Sequence, residues 1–307
     1  MPQLPGTDLT VSDLCLGGNV FGWTADEPTS FAILDRYADA PPSAVAPFVD
    51  TAESYGTGES ERIVGAWMAS RGNRDSIVVA TKASPLDKEH PLSAGEIRTA
   101  AERSLRNLGT DRIDVYYAHY DDETTPLEET LTAFDELVRA GKVRYIAASN
   151  YSAARLVEAL DLSDELGVAR YVALQTHYNL MERGQFEGEL RNVALDRGLG
   201  VLPYFGLARG FLTGKYRQGE RVDSPRAAGA AQYVGEKGDR VLDALAGVAD
   251  AQGVPVPAVA LRWLADQQGV VAPIASGRSV EQLADLLPMQ DLRLTDDELQ
   301  VLTDASA

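Results

Sequence analysis

One rhythm constrains this chain more than any other feature. A short apolar run is followed by a turn and then by a longer amphipathic segment, and the pattern recurs along the whole length. The pairs are 14–16 with 31–38, 48–50 with 59–70, 77–81 with 93–108, 113–118 with 127–140, 143–149 with 153–166, and 171–175 with 185–197. Residues 201–204 are followed by helical stretches at 238–252 and 257–267, and 270–274 by 280–287. The short runs are rich in Val, Ile, Tyr and Ala and do not alternate strictly, which suits strands buried on both faces of a parallel sheet. The longer ones have helical periodicity: within 97–108, Ala101, Leu105 and Leu108 share one side while Glu102, Arg103 and Arg106 fall elsewhere. Eight right-handed βα units in a chain of 307 residues predict a (β/α)8 barrel. The doubly wound sheet is the rival architecture. Residues 4–11, centred on Pro5-Gly6, read as a small hairpin ahead of the first strand. Residues 295–303 read as a terminal helix, with Thr295 and Glu298 forming a capping box. No linker interrupts the pattern, so residues 1–307 are expected to form one domain.

Charge narrows the function classes. With 46 acidic against 28 basic residues the net charge is −18, and nucleic acids or anionic membranes need a basic face. Neither is expected as a partner. The single cysteine, Cys15, permits no internal disulfide. Neither a signal peptide nor a long apolar span is evident, so a cytoplasmic location is expected. Whether the chain is a monomer or a homo-oligomer is left open by the sequence.

In a barrel, chemistry lies where strands end. Ionisable and amide groups stand at nearly every such exit: Asp50 and Tyr55, Lys82, His119, Ser149 and Asn150, Gln175, Tyr204, and Ser276 with Arg278. Four of them make chemical sense together. A phenol beside an ammonium group is expected to have a lowered pKa, a carboxylate would hold that ammonium, and an imidazole could bond the same oxygen. Asp50, Tyr55, Lys82 and His119 could so deliver a proton to an oxygen becoming an alkoxide.

Several stretches are shared with a known family: Asp50-Thr51-Ala52-Glu53-Ser54-Tyr55-Gly56 with Ser60-Glu61; Ala80-Thr81-Lys82; Ser104 to Asp111 running into His119; Gly141 to Arg144 with Ser149-Asn150; Gln175 with Tyr178-Asn179; Gly210-Phe211-Leu212-Thr213-Gly214-Lys215; and Pro273-Ile274 through Arg278 to Gln282. In these the chain resembles the aldo-keto reductases, nearest to the bacterial group that also resembles potassium-channel β-subunits and sugar-nucleotide ketoreductases. The resemblance implies an NADPH-dependent carbonyl reductase on a (β/α)8 barrel, preferring NADPH (NADP+) to NADH. It implies Tyr55 as general acid, Lys82 and Asp50 as its tuning groups, and His119 as the group orienting a small-molecule carbonyl substrate. Ser149, Asn150 and Gln175 would hold the nicotinamide carboxamide, and Tyr204 would stack on its ring. The loop through Leu207, Gly210, Leu212 and Lys215 would cover the pyrophosphate. Arg278 and Gln282 would meet the adenosine 2′-phosphate region, and Ser276 would be a further cofactor contact. Phe21, Trp23 and Tyr120 are expected to shape the substrate wall. The chain departs from the family pattern at Ala275-Ser276-Gly277-Arg278, commonly Pro-Gly-Ala-Arg, and at Asp285-Leu286, often an acid followed by Asn.

Blander readings accompany these. His90 is expected in a solvated loop, and His177 either lines the barrel mouth or packs. Asp121-Asp122-Glu123 is expected to be a solvated acidic loop rather than a metal site, and Cys15 a small core residue. The segment 217–238 is expected to form a flap. A metal-dependent barrel hydrolase is disfavoured by the absence of clustered His ligands. The remaining alternative is a cofactor-sensing regulatory subunit with vestigial reductase chemistry, which turnover on a panel of aldehydes would separate from an enzyme.

Overall fold

Strands buried on both faces need helices on one side and a filled interior on the other, and the fold meets both demands. The computed structural model describes residues 2–40, 45–83, 91–217 and 226–307. Its strands are β1 (Val11–Gly17), β2 (Ala46–Asp50), β3 (Val78–Ala83), β4 (Ile113–Ala118), β5 (Val143–Ser149), β6 (Tyr171–His177), β7 (Gly200–Tyr204) and β8 (Ile274–Ala275). All neighbours are parallel, in the order β7-β6-β5-β4-β3-β2-β1-β8. The ends of that sheet meet at a parallel bridge between Val201 and Val270, where Val201 N donates to Gly269 O and Val271 N to Val201 O. The result is the (β/α)8 barrel, not the doubly wound sheet. Its principal helices are α1 (Glu27–Ala38), α2 (Glu59–Arg71), α3 (Ala94–Leu108), α4 (Leu127–Arg139), α5 (Ala153–Leu166), α6 (Glu189–Asp196), α7 (Ala227–Ala231), α8 (Glu236–Gln252), α9 (Val256–Ala265), α10 (Val280–Leu286) and α11 (Asp296–Ala305).

Some boundaries differ from expectation for local reasons. Residues 270–274 do not form one strand: Val270 makes the closing bridge, Pro273 has no N–H to give, and β8 begins at Ile274. The helix expected over 185–197 begins only at Glu189, after Gly188 with φ +115°. Of the expected flap, residues 218–225 lie outside the described residues, and the remainder carries α7 and the start of α8. His90 also lies outside them. The acidic loop is not solvated throughout. Asp121 pairs with Arg155 at 2.9 Å, and the buried Asp122 carboxylate accepts from Leu92 N and from the Thr125 hydroxyl. Cys15 is fully buried, as expected of a core residue.

The N-terminal hairpin closes with a Gln3–Thr10 bridge and seats Leu4 and Leu9 among the interior side chains. A Cβ at Gly200 would meet Leu4 and Pro5 within 2.9 Å, so the hairpin plugs the end where strands begin. Terminal helix α11 carries the expected capping box of Thr295 and Glu298.

Strand parity decides which residues reach the opposite end. Phe48, Val78, Ala80, Val115, Tyr117, Ala147, Ala173 and Leu202 form the interior cluster. Side chains alternate along a strand, so the next inward positions are Asp50, Lys82, His119, Ser149, Gln175 and Tyr204. The barrel interior is apolar up to that layer and polar at it.

Candidate active site

A cavity of about 650 Å³ opens on the polar layer. Its floor is an ion pair: Lys82 Nζ lies 2.7 Å from Asp50 Oδ2, with the two side chains 0% and 3% exposed. The same ammonium donates to Thr51 O at 2.7 Å and lies 3.4 Å from Tyr55 Oη. Removing two such charges from water is costly unless geometry and further hydrogen bonds compensate. Here they do, because the second carboxylate oxygen, Oδ1, accepts from Gln175 Nε2 at 2.9 Å.

The loop that presents Tyr55 is tied at both ends. Thr51 N donates to Ala80 O, and the Thr51 and Ser60 hydroxyls meet at 2.7 Å. Ser60 also donates to Gly18 O. Gly56, Thr57 and Gly58 all take left-handed backbone conformations that turn the chain into α2. Behind the loop the fully buried Glu61 carboxylate receives the Thr81 hydroxyl at 2.6 Å and Asn107 Nδ2 at 2.8 Å.

Burial, rather than the neighbouring ammonium, dominates the Tyr55 phenol. Its pKa is raised above the ordinary tyrosine value, with Lys82 limiting the rise. The sequence-based expectation of a lowered pKa is corrected accordingly: Tyr55 stands as a neutral phenol holding its proton. Burial also acts against the Lys82 charge, but Asp50 and Tyr55 outweigh it and the ammonium is held. His119 is pushed down to about 3 by burial and then by Lys82. Its ring lies edge-on to Tyr55 with centroids 6.4 Å apart, and Nδ1 is buried with no hydrogen-bond partner among the described residues. Tyr120 stacks on it at 4.6 Å.

On the other wall, Asn150 has φ +60° and bridges several elements. Its Nδ2 donates to His119 O and Ser149 Oγ, and its Oδ1 accepts from Tyr204 Oη at 2.8 Å. The outer face of Tyr204 is backed by His177, nearly parallel at 5.3 Å. Farther out, Lys215, Arg226 and Arg278 line the cavity together with Arg209. Burial and the like charges of Arg278 and Arg209 lower the pKa of Arg226. In a chain of net charge −18, this is a concentrated positive field. Gln282 accepts from Arg278 N at 2.9 Å and shapes that end, beside Asp285 and Leu286. The Ser276 hydroxyl donates to Asn19 Oδ1 at 2.7 Å, anchoring the turn after β8 to that after β1.

The cavity brings together Asp50, Tyr55, His119, Tyr120, Ser149, Asn150, Gln175, Tyr204, Leu207, Gly210, Lys215, Ser276, Arg278 and Gln282, with Lys82 buried directly behind. Three expected residues lie elsewhere. Phe21 is 1% exposed in the core between strands and helices, and Leu212 is fully buried there beside Phe211, because apolar side chains in these loops fold inward. Trp23 is 60% exposed and does not line the cavity. Sequence reasoning missed Asn19, Phe205, Arg209 and Arg226. Phe205 and Arg209 are placed by left-handed backbone at φ +53° and +58°, which no residue type announces. Arg209 sits 4.3 Å over the Phe205 ring.

Amide and hydroxyl donors beside a flat tyrosine face, with cations at the far end, suit a flat polar ring joined to an anionic group by the chemistry of the set. The aldo/keto reductase family model matches residues 13–307. The chain is 36% identical to an uncharacterized oxidoreductase, YrpG, of Bacillus subtilis, covering 97% of this chain and 93% of that protein. It is 32% identical to norsolorinic acid reductase B of Aspergillus parasiticus, over 98% of this chain and 82% of the relative. It is 30% identical to protein tas of Escherichia coli, over 97% and 94%.

The histidine chemistry has a direct check. A base whose folded-state pKa lies below its unfolded value adds stability that is complete above about pH 6.5 and is withdrawn as pH falls toward the folded value. The His119 ring resonances are therefore expected to stay unshifted in NMR spectra from pH 8 to 5; a midpoint near 6.5 would contradict the buried neutral imidazole.

Proposed function

Since the chain belongs to the aldo/keto reductase family, an oxidoreductase family acting on carbonyl compounds, we propose that it reduces an aldehyde or ketone to the alcohol with NADPH, Tyr55 supplying the proton. The observation that carries this reading is the unbroken series from the buried Asp50 and Lys82 to the half-buried Tyr55, beside an uncharged His119. A reduced nicotinamide, when bound, supplies a hydride to the carbonyl carbon. The oxygen then gains negative charge, and the Tyr55 O–H gives it a proton. The resulting phenolate faces Lys82, whose charge Asp50 keeps in place without neutralising it at Tyr55. His119 has a ring nitrogen to offer the same oxygen and, being neutral, does not compete with Tyr55 as an acid.

Ser149, Asn150 and Gln175 are the groups suited to the carboxamide, and Tyr204, fixed by Asn150 and His177, gives a flat surface for the ring. The preference for NADPH rests on the cations Lys215, Arg226 and Arg278 at the far end of the cavity. Tyr120 at the rim shapes the entry for the carbonyl compound. The relatives named as norsolorinic acid reductases support the reductive direction.

Two experiments test this. Consumption of NADPH with a panel of aldehydes and ketones is expected to fall by about 10²- to 10⁴-fold in Tyr55→Phe, while NADPH binding measured by fluorescence persists; unchanged turnover would remove Tyr55 from the role. Arg278→Ala is expected to weaken NADPH binding about 10- to 100-fold, the worth of a charge-assisted hydrogen bond, and to leave NADH binding alone. An equal loss for both dinucleotides would contradict the phosphate assignment.

A further inference from the structure

Gln175 touches both the cavity and the ion pair beneath it. It stands at an inward position of β6, is 3% exposed, and pairs in register with Ser149. A carboxylate only accepts, so the amide end facing Asp50 must be the NH2 group. That contact is the 2.9 Å bond from Nε2 to Asp50 Oδ1. Asp50 spends its other oxygen on Lys82, whose ammonium faces Tyr55. The Gln175 side chain also lies beside the buried Tyr117 hydroxyl, and it lines the cavity, where Oε1 is the acceptor it has to offer.

We propose that Gln175 is a positioning residue that sets the acidity of Tyr55 through Asp50, so that an amide N–H donated to its Oε1 is felt at the phenol. The inference rests on the reading of Tyr55 as proton donor. Donation from Nε2 draws negative charge toward the far oxygen of Asp50 and leaves more of the Lys82 field acting on Tyr55. A group bonding Oε1 polarises the amide and strengthens that donation. Loss of the amide therefore raises the phenol's pKa. The other groups facing Tyr55 are His119 and Tyr120 beyond β4, Tyr204 at the end of β7, and Arg226 ahead of α7. None of these four accepts from Gln175, and Tyr117, which lies beside it, is a fully buried phenol under the Lys82 ammonium, so the charged link from Gln175 to Tyr55 is Asp50.

The test reads titration, not turnover. A fluorinated tyrosine placed at position 55 brings the phenol's titration into a mild pH range and is followed by 19F NMR in cofactor-free protein. Gln175→Met is expected to raise the midpoint by about 0.5 to 1 unit. Ser149→Ala, which leaves the Asp50 contact intact, is expected not to move it. In a Lys82→Met/Asp50→Asn background, which removes the buried pair as a unit, the Gln175→Met shift is expected to vanish. With NADP+ bound, the midpoint is expected to lie below that with the 3-acetylpyridine analogue, which has the same ring charge but no amide N–H, and this difference should disappear in Gln175→Met. Should Gln175→Met not fold, Gln175→Asn withdraws the amide by one methylene with the same expected direction. An unmoved midpoint, a shift of equal size in the Lys82→Met/Asp50→Asn background, or equal midpoints for the two dinucleotides in the unsubstituted chain would overturn the proposal. A protein that shows the shifts yet reduces no carbonyl overturns the functional reading alone.

Discussion

The buried ion pair between Lys82 and Asp50 is the constraint on which the rest of the site depends. Either charge alone would be intolerable where it lies, since the interior below it is apolar. Together they are acceptable because every remaining direction is used: Thr51 O and Tyr55 on the ammonium, Gln175 on the carboxylate. Such pairs are poor sources of net stability compared with apolar packing. Their presence at the floor of a cavity is better explained by what they do to Tyr55 than by what they add to the fold.

The barrel makes this arrangement possible by stacking layers. The hairpin and the interior apolar side chains fill the end where strands begin, which among the described residues leaves the polar layer at the other end as the inward surface that opens on a cavity. The chain as a whole is negative, while Lys215, Arg226 and Arg278 concentrate positive charge at one concave place.

Much of this was legible in the sequence, and the reasons for what was not are specific. The strand-helix rhythm was clear because parallel strands are continuous apolar runs, but that continuity hid the parity that groups Asp50, Lys82, His119, Ser149, Gln175 and Tyr204 on the inner face. Neighbours of Tyr55 could be named from motifs. Its degree of burial could not, and burial fixes the sign of its pKa shift. Phe21 and Leu212 were misplaced for the converse reason: apolar residues within a functional loop pack into the core under it. Arg209 and Phe205 owe their positions to left-handed backbone rather than to any pattern of residue types.

Lys82 and Asp50 are tolerated only as a pair. The most direct measurement is a denaturation cycle on Lys82→Met, Asp50→Asn and the double variant. The account predicts that Lys82→Met alone loses about 3–5 kcal/mol by stranding a buried carboxylate, and that adding Asp50→Asn restores most of the loss. Losses that simply add across the two sites would contradict it.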